Sequence, residues 1–81
     1  MDYDTNKIDD DVLALLYLVS FRDSPHDEYY RAWKGHDWDA TCRLHEKGLI
    51  SNPKGKSKSI VFTAEGFARA KKLFEEKYAK P

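Results

Sequence analysis

The residues best equipped for chemistry in this 81-residue chain are one thiol, Cys42, and three imidazoles, His26, His36 and His45, with Asp37 close by in sequence. A thiolate beside an imidazole makes a nucleophile and base, and the same groups are ligand types that zinc accepts. Their spacing favours neither chemistry. No CxxC or HxxxH pattern occurs, and Cys42 and His45, at i and i+3, are two ligands where a closed site needs four. Gly35, Gly48, Gly55 and Gly66 are each isolated, so neither a phosphate-binding loop nor a dinucleotide fingerprint is present. The expectation is a non-enzyme that uses no cofactor, metal or small-molecule substrate.

The cations and aromatics are more suggestive. Lys54, Lys56 and Lys58 follow one another at alternate positions around Gly55, and Arg43 and Lys47 stand four apart on a helical segment. Lysines on a flexible tip are point charges able to displace counterions from phosphates, and an arginine can read guanine O6 and N7 bidentately. Asp39 and Glu46 flank Arg43 at i−4 and i+3, where they can pair with it and repel phosphate. Tyr29, Tyr30, Trp33 and Trp38 form a second candidate surface, an aromatic face for a protein partner or a second copy of the chain. Against this stands the economical reading that both indoles pack where two helices meet at Gly35.

Composition sets limits on these readings. A chain this short closes a single core over residues 1–81. With 41% hydrophobic and 35% charged residues it reads as globular, and the apolar run from Val12 to Val19 falls far short of the about 20 residues of a membrane span. The lone cysteine and the aspartates preceding that run point to the cytoplasm. Net charge is zero but segregated: residues 1–28 hold eight acids and two bases, and the remainder holds twelve bases and six acids. Such segregation can build a basic face on a neutral protein.

Helical and strand signals supply the frame. Residues 1–8 are expected to be a flexible N-terminus. Three aspartates then open a helix from Asp9 to Phe21 whose stripe runs through Val12, Leu15, Leu16 and Val19. Ser24-Pro25, Asp27 and Glu28 read as the start of a second helix ending at Gly35, with Tyr29, Tyr30 and Trp33 along its apolar side. Asp37 caps a third, which runs from Trp38 to Lys47 and stops at Gly48, with Leu49 placed to close a Schellman motif onto Leu44. Residues 49–63 form a hairpin with a proline and glycine tip, and Thr63 caps a last helix striped by Phe67, Ala70, Leu73, Phe74 and Tyr78. The predicted class is α+β, mostly α, in the order helix, helix, helix, strand, strand, helix.

Leu44-His45-Glu46-Lys47-Gly48-Leu49-Ile50, a hairpin, and then Phe62-Thr63-Ala64-Glu65-Gly66 resemble the bacterial winged helix-turn-helix regulators of MarR-like and PadR-like type. The block from Arg31 to Asp39, RAWKGHDWD, resembles that of a small bacterial winged-helix family, from which a fold carries over but no activity. The likeness covers about half the chain. It implies a transcription-regulating domain that binds double-stranded DNA, with residues 38–47 as recognition helix and 49–63 as wing. Arg43, Lys47, Lys54, Lys56 and Lys58 are then the DNA contacts. Winged helices also serve as protein-interaction and dimerisation modules, so Tyr29, Tyr30, Trp33 and Trp38 remain candidates for that role.

Overall fold

A computed structural model describes residues 2–81. Its elements are α1 (Thr5–Leu18), β1 (Arg31–Trp33), α2 (Trp38–Glu46), β2 (Ser59–Val61) and α3 (Ala64–Tyr78). The protein is thus a mostly helical α+β fold, with three helices and an antiparallel pair of strands.

Each helix begins where a short polar side chain can take up an orphan backbone N–H. Asp4 accepts from Lys7 N, Asp37 from Ala40 N, and Thr63 from Gly66 N. Helix α1 therefore starts one turn earlier than the aspartate triplet suggested, and residues 5–8, expected to be flexible, are helical. The end of α2 is the Schellman closure that its sequence calls for. Gly48 is left-handed at φ 77°, its N–H donates to the His45 carbonyl, and Leu49 N–H donates to the Leu44 carbonyl.

The segment between α1 and α2 departs from expectation. The helix predicted from Ser24 to Gly35 is absent: residues 24–27 form a single turn, and the chain then extends into β1. The capping signals are real, since Ser24 N donates to Asp27 Oδ2 and Asp27 N to the Ser24 carbonyl. They nucleate one turn that does not propagate. From Tyr30 onward burial alternates, with Ala32 fully inside and Arg31 and Trp33 on the other side. That is the period of a strand, and the tyrosines and tryptophan are good strand formers. The helix-turn-helix corner expected at Gly35 is accordingly a strand-to-helix corner, and Gly35 does not take the left-handed stop.

Strand β2 occupies the middle of a small antiparallel array. On one side it pairs with β1 in the register Arg31↔Val61, Ala32↔Ile60 and Trp33↔Ser59. On the other, Ile50 bridges Phe62, Ser51 N–H donates to the Val61 carbonyl, and Thr63 N–H donates to that of Leu49. Residues 49–63 thus close as a hairpin through one bridge and these bonds, but residues 49–51 form no strand, and the expected order of helix, helix, helix, strand, strand, helix becomes helix, strand, helix, strand, helix. Phe21 bridges Arg31 on the far side of β1.

One core joins all five elements. Leu13 and Leu16 of α1, Ala40 and Leu44 of α2, Ile60 of β2, Ala32 of β1 and Ala70 of α3 are buried with Leu49, Ile50 and Phe62. Aromatics seal its α3 side: Phe67 stacks on Tyr30 at 4.3 Å between ring centres and meets the edge of Phe62 at 5.5 Å, while Tyr17 lies 5.3 Å from both Phe67 and Phe74.

Candidate nucleic-acid interface

The segregated charges of the sequence meet one another in the fold. Asp9, on the second turn of α1, is fully buried against α2. Its carboxylate accepts three N–H contacts from Arg43, two from Nε at 2.9 and 3.0 Å and one from Nη2 at 2.8 Å, and a fourth from Lys47 Nζ at 2.9 Å. Burial alone would raise the Asp9 pKa, but the bonds and charges of Arg43 and Lys47 outweigh it and hold the carboxyl below its ordinary value. The same contact raises the pKa of Arg43, with burial opposing. Asp10 pairs with Arg69 of α3 and Asp11 with Lys77. The three aspartates are thus anchors for the other helices and take no part in a cap.

Arg43 and Lys47 are thus both bonded to a buried carboxylate, with 30 and 38% of their side chains still exposed, and α2 also carries Asp39 and Glu46 at its surface.

The lysines of the hairpin are differently placed. Among the described residues, Lys54, Lys56 and Lys58 are exposed and pair with no carboxylate, whereas Arg43, Lys47, Arg69, Lys72 and Lys77 all do. Their loop is held from beneath. Lys34 N–H donates to the Lys58 carbonyl and Lys34 Nζ to that of Gly55 at 2.8 Å, which fastens the tip to the end of β1 and brings a fourth ammonium into the group. Asn52 adds an Asx turn, accepting from Lys54 N. Arg31 Nε donates to Ser59 Oγ and Arg31 Nη2 to Ser57 Oγ.

The four aromatic candidates separate. Tyr30 belongs to the core margin, stacked on Phe67 and covered by the Arg22 guanidinium at 4.8 Å. Tyr29, Trp33 and Trp38 stay at the surface, 45, 57 and 52% exposed. The tryptophans therefore do not pack together as a helix-to-helix core, because the first of them sits on a strand with its side chain outward, against Phe21 at 5.1 Å.

Cys42 and His45 line a small groove with Glu46, Asn52, Pro53 and Lys54, between α2 and the hairpin. His45 Nδ1 lies 3.0 Å from the Ile50 carbonyl, which can only accept, so the proton is on Nδ1. No group of three or more metal-ligating side chains occurs among the described residues, and no helix is long and apolar enough to cross a membrane. Sequence reasoning missed Lys34 and Arg31, whose only signal was the alternation of Arg31 and Trp33 with Ala32.

A family match extends over residues 4–80. The chain belongs to the family described as Domain of unknown function (DUF6429). It is 50% identical over 80 residues, 99% of this chain and 100% of the relative, to the uncharacterized protein y4hR of Sinorhizobium fredii. No solved structure gives a significant match. In DUF6429, then, the site rests on the geometry of this chain: a lysine-bearing hairpin fastened to a strand whose outward tryptophan is exposed.

Proposed function

We propose that the domain is a winged-helix module that binds nucleic acid by its phosphate backbone, with the hairpin of residues 49–63 as the wing. The carrying observation is the inventory of partners among the described residues: Arg43, Lys47, Arg69, Lys72 and Lys77 are matched to acids of the same chain, Lys7 and Lys71 are unmatched on separate helices, and Lys54, Lys56 and Lys58 stand unmatched together on one loop. The strand arrangement supports the winged-helix reading, since β2 lies between β1 and residues 49–51 and leads directly into α3. Helix α2 contributes packing and offers little to bases, because its arginine is engaged with Asp9. The reading is therefore of weak sequence preference and strong salt dependence, in a transcription-regulator-like domain.

Fluorescence anisotropy with labelled DNA between 50 and 200 mM salt tests this. Three phosphate contacts give log K against log salt a slope of about −2.1 for a single strand to about −2.7 for a duplex, so the wing's share of the affinity falls roughly 20- to 40-fold over that range. Replacing Lys54, Lys56 and Lys58 together by alanine removes that component. Absence of binding at low salt, or a salt slope untouched by the triple replacement, refutes the proposal.

A second reading, a homodimer or protein-interaction module, is favoured by the exposure of Tyr29 and Trp38 and by Ile8, Leu15, Leu18 and Val19, which leave an apolar strip along the open side of α1. Sedimentation over a concentration series checks it, and a strict monomer at the highest concentration removes the homodimer.

A further inference from the structure

We infer that the nucleic acid held by this domain is single-stranded, with an unpaired base stacked on the exposed face of Trp33 beside the wing. The inference rests on the reading of the wing as a phosphate grip and adds what the strand must offer.

Four observations converge on one end of the small sheet. Trp33 is 57% exposed, and Phe21 lies against it at 5.1 Å with the rings 29° from parallel, so one face of the indole is backed and the side chain is held as a platform. The next residue, Lys34, fastens the wing tip, so the lysine group begins within one residue of that platform. Trp33 pairs with Ser59, and Arg31 shares its side of β1. The Arg31 guanidinium uses Nε and one Nη2 proton on Ser59 and Ser57, leaving three of the five N–H donors an arginine carries without an acceptor among the described residues. A stacking surface, a fixed guanidinium and a cluster of mobile ammonium groups are the parts with which proteins track single strands.

A duplex would leave this equipment idle. Its base faces are hidden in the stack, and a protein reads only groove edges and backbone. The helix that would have to enter a major groove has its arginine bonded to Asp9 and shows Asp39 and Glu46 instead. A single strand offers base faces together with phosphates, which is what Trp33 and the wing complement. The site is also bounded. Asp23, Asp27 and Glu28 line the depression on the far side of Arg31, and their carboxylates repel phosphate, so the strand runs from Trp33 toward the wing tip.

The experiment uses the full chain carrying Trp38→Phe, so that indole emission reports Trp33 alone. It is titrated with an oligothymidylate of about ten nucleotides and with a mixed-sequence duplex at low salt. The expected result is quenching of Trp33 and a preference for the single strand. Trp33→Leu, which keeps the apolar contact with Phe21 but not the stacking surface, weakens oligothymidylate binding about 5- to 150-fold by anisotropy, while Trp33→Phe recovers part of it. Circular dichroism and a urea titration on each variant confirm folding. Duplex bound as tightly as oligothymidylate, with no dependence on Trp33, overturns this inference and leaves the wing's phosphate grip standing. No binding of either probe overturns both.

Discussion

Asp9→Asn is the sharpest single perturbation of the fold. The native carboxylate is fully buried and accepts four charge-assisted contacts, three from Arg43 and one from Lys47, and its replacement by an amide of the same shape leaves two cations facing a neutral group. Removing one partner of a buried ion pair costs about 3 to 5 kcal/mol when the survivor stays dry. Here the Arg43 and Lys47 side chains are 30 and 38% exposed and regain some water, so a loss of about 2 to 3 kcal/mol is expected. A chain of this length has a net stability of about 4 to 12 kcal/mol, and at about 4 to 8 °C per kcal/mol the melting temperature falls by roughly 8 to 24 °C. The assay is urea denaturation followed by circular dichroism at pH 7 and again near pH 3. Because the Asp9 pKa is lowered by folding, its stabilising contribution is complete above the ordinary carboxylate range and is lost as pH falls through the folded value. The gap between native and variant therefore narrows on acidification. A variant within about 0.5 kcal/mol of the native protein at pH 7, or a gap of equal size at both pH values, refutes the assignment of Asp9 as the electrostatic link between α1 and α2.

Two backbone substitutions separate conformational strain from close approach. Gly66 lies where α3 crosses the hairpin, and a Cβ built there would sit 1.7 Å from the Leu49 carbonyl oxygen. Gly66→Ala, which helix propensity alone would favour by about 1 kcal/mol, should instead cost about 3 kcal/mol or more in urea denaturation, since a backbone atom must move. Gly48→Ala meets nothing within 4 Å and suffers only from its left-handed φ of 77°, so a loss of about 1 to 2 kcal/mol is expected, with the fold intact by circular dichroism.

Signals carried by one or two neighbouring residues were legible in the sequence. Asp37 and Thr63 cap the helices they precede, Gly48 stops α2, and Leu49 closes the turn behind it, because each of these depends on chemistry within five residues. Residues 24–33 were misread where local and tertiary preference conflict. Ser24, Pro25 and Asp27 write a helix start, but the following residues gain more by pairing with Ser59–Val61, which local periodicity does not reveal. The candidate site was legible only in its lysines. Nothing near Arg43 in sequence points to Asp9, thirty-four residues away, so an arginine that looked available is in fact engaged.

The charge pattern explains how a protein of zero net charge can present a basic grip. Had the acidic first third and the basic remainder stayed apart, attraction to phosphate would have been diffuse and opposed by every aspartate within a Debye length. The fold instead brings Asp9, Asp10 and Asp11, three of the eight acids in residues 1–28, onto Arg43, Lys47, Arg69 and Lys77, where they join α1 to its neighbours. Lys54, Lys56 and Lys58 stand together on a loop around Asn52, Pro53 and Gly55, fastened through Lys34 to the strand that carries Trp33, and among the described residues they pair with none of those aspartates. Salt then acts in two places with different weight. It screens the exposed hairpin lysines strongly and the buried Asp9 contact weakly, so the proposed binding is expected to fade with ionic strength well before the fold does.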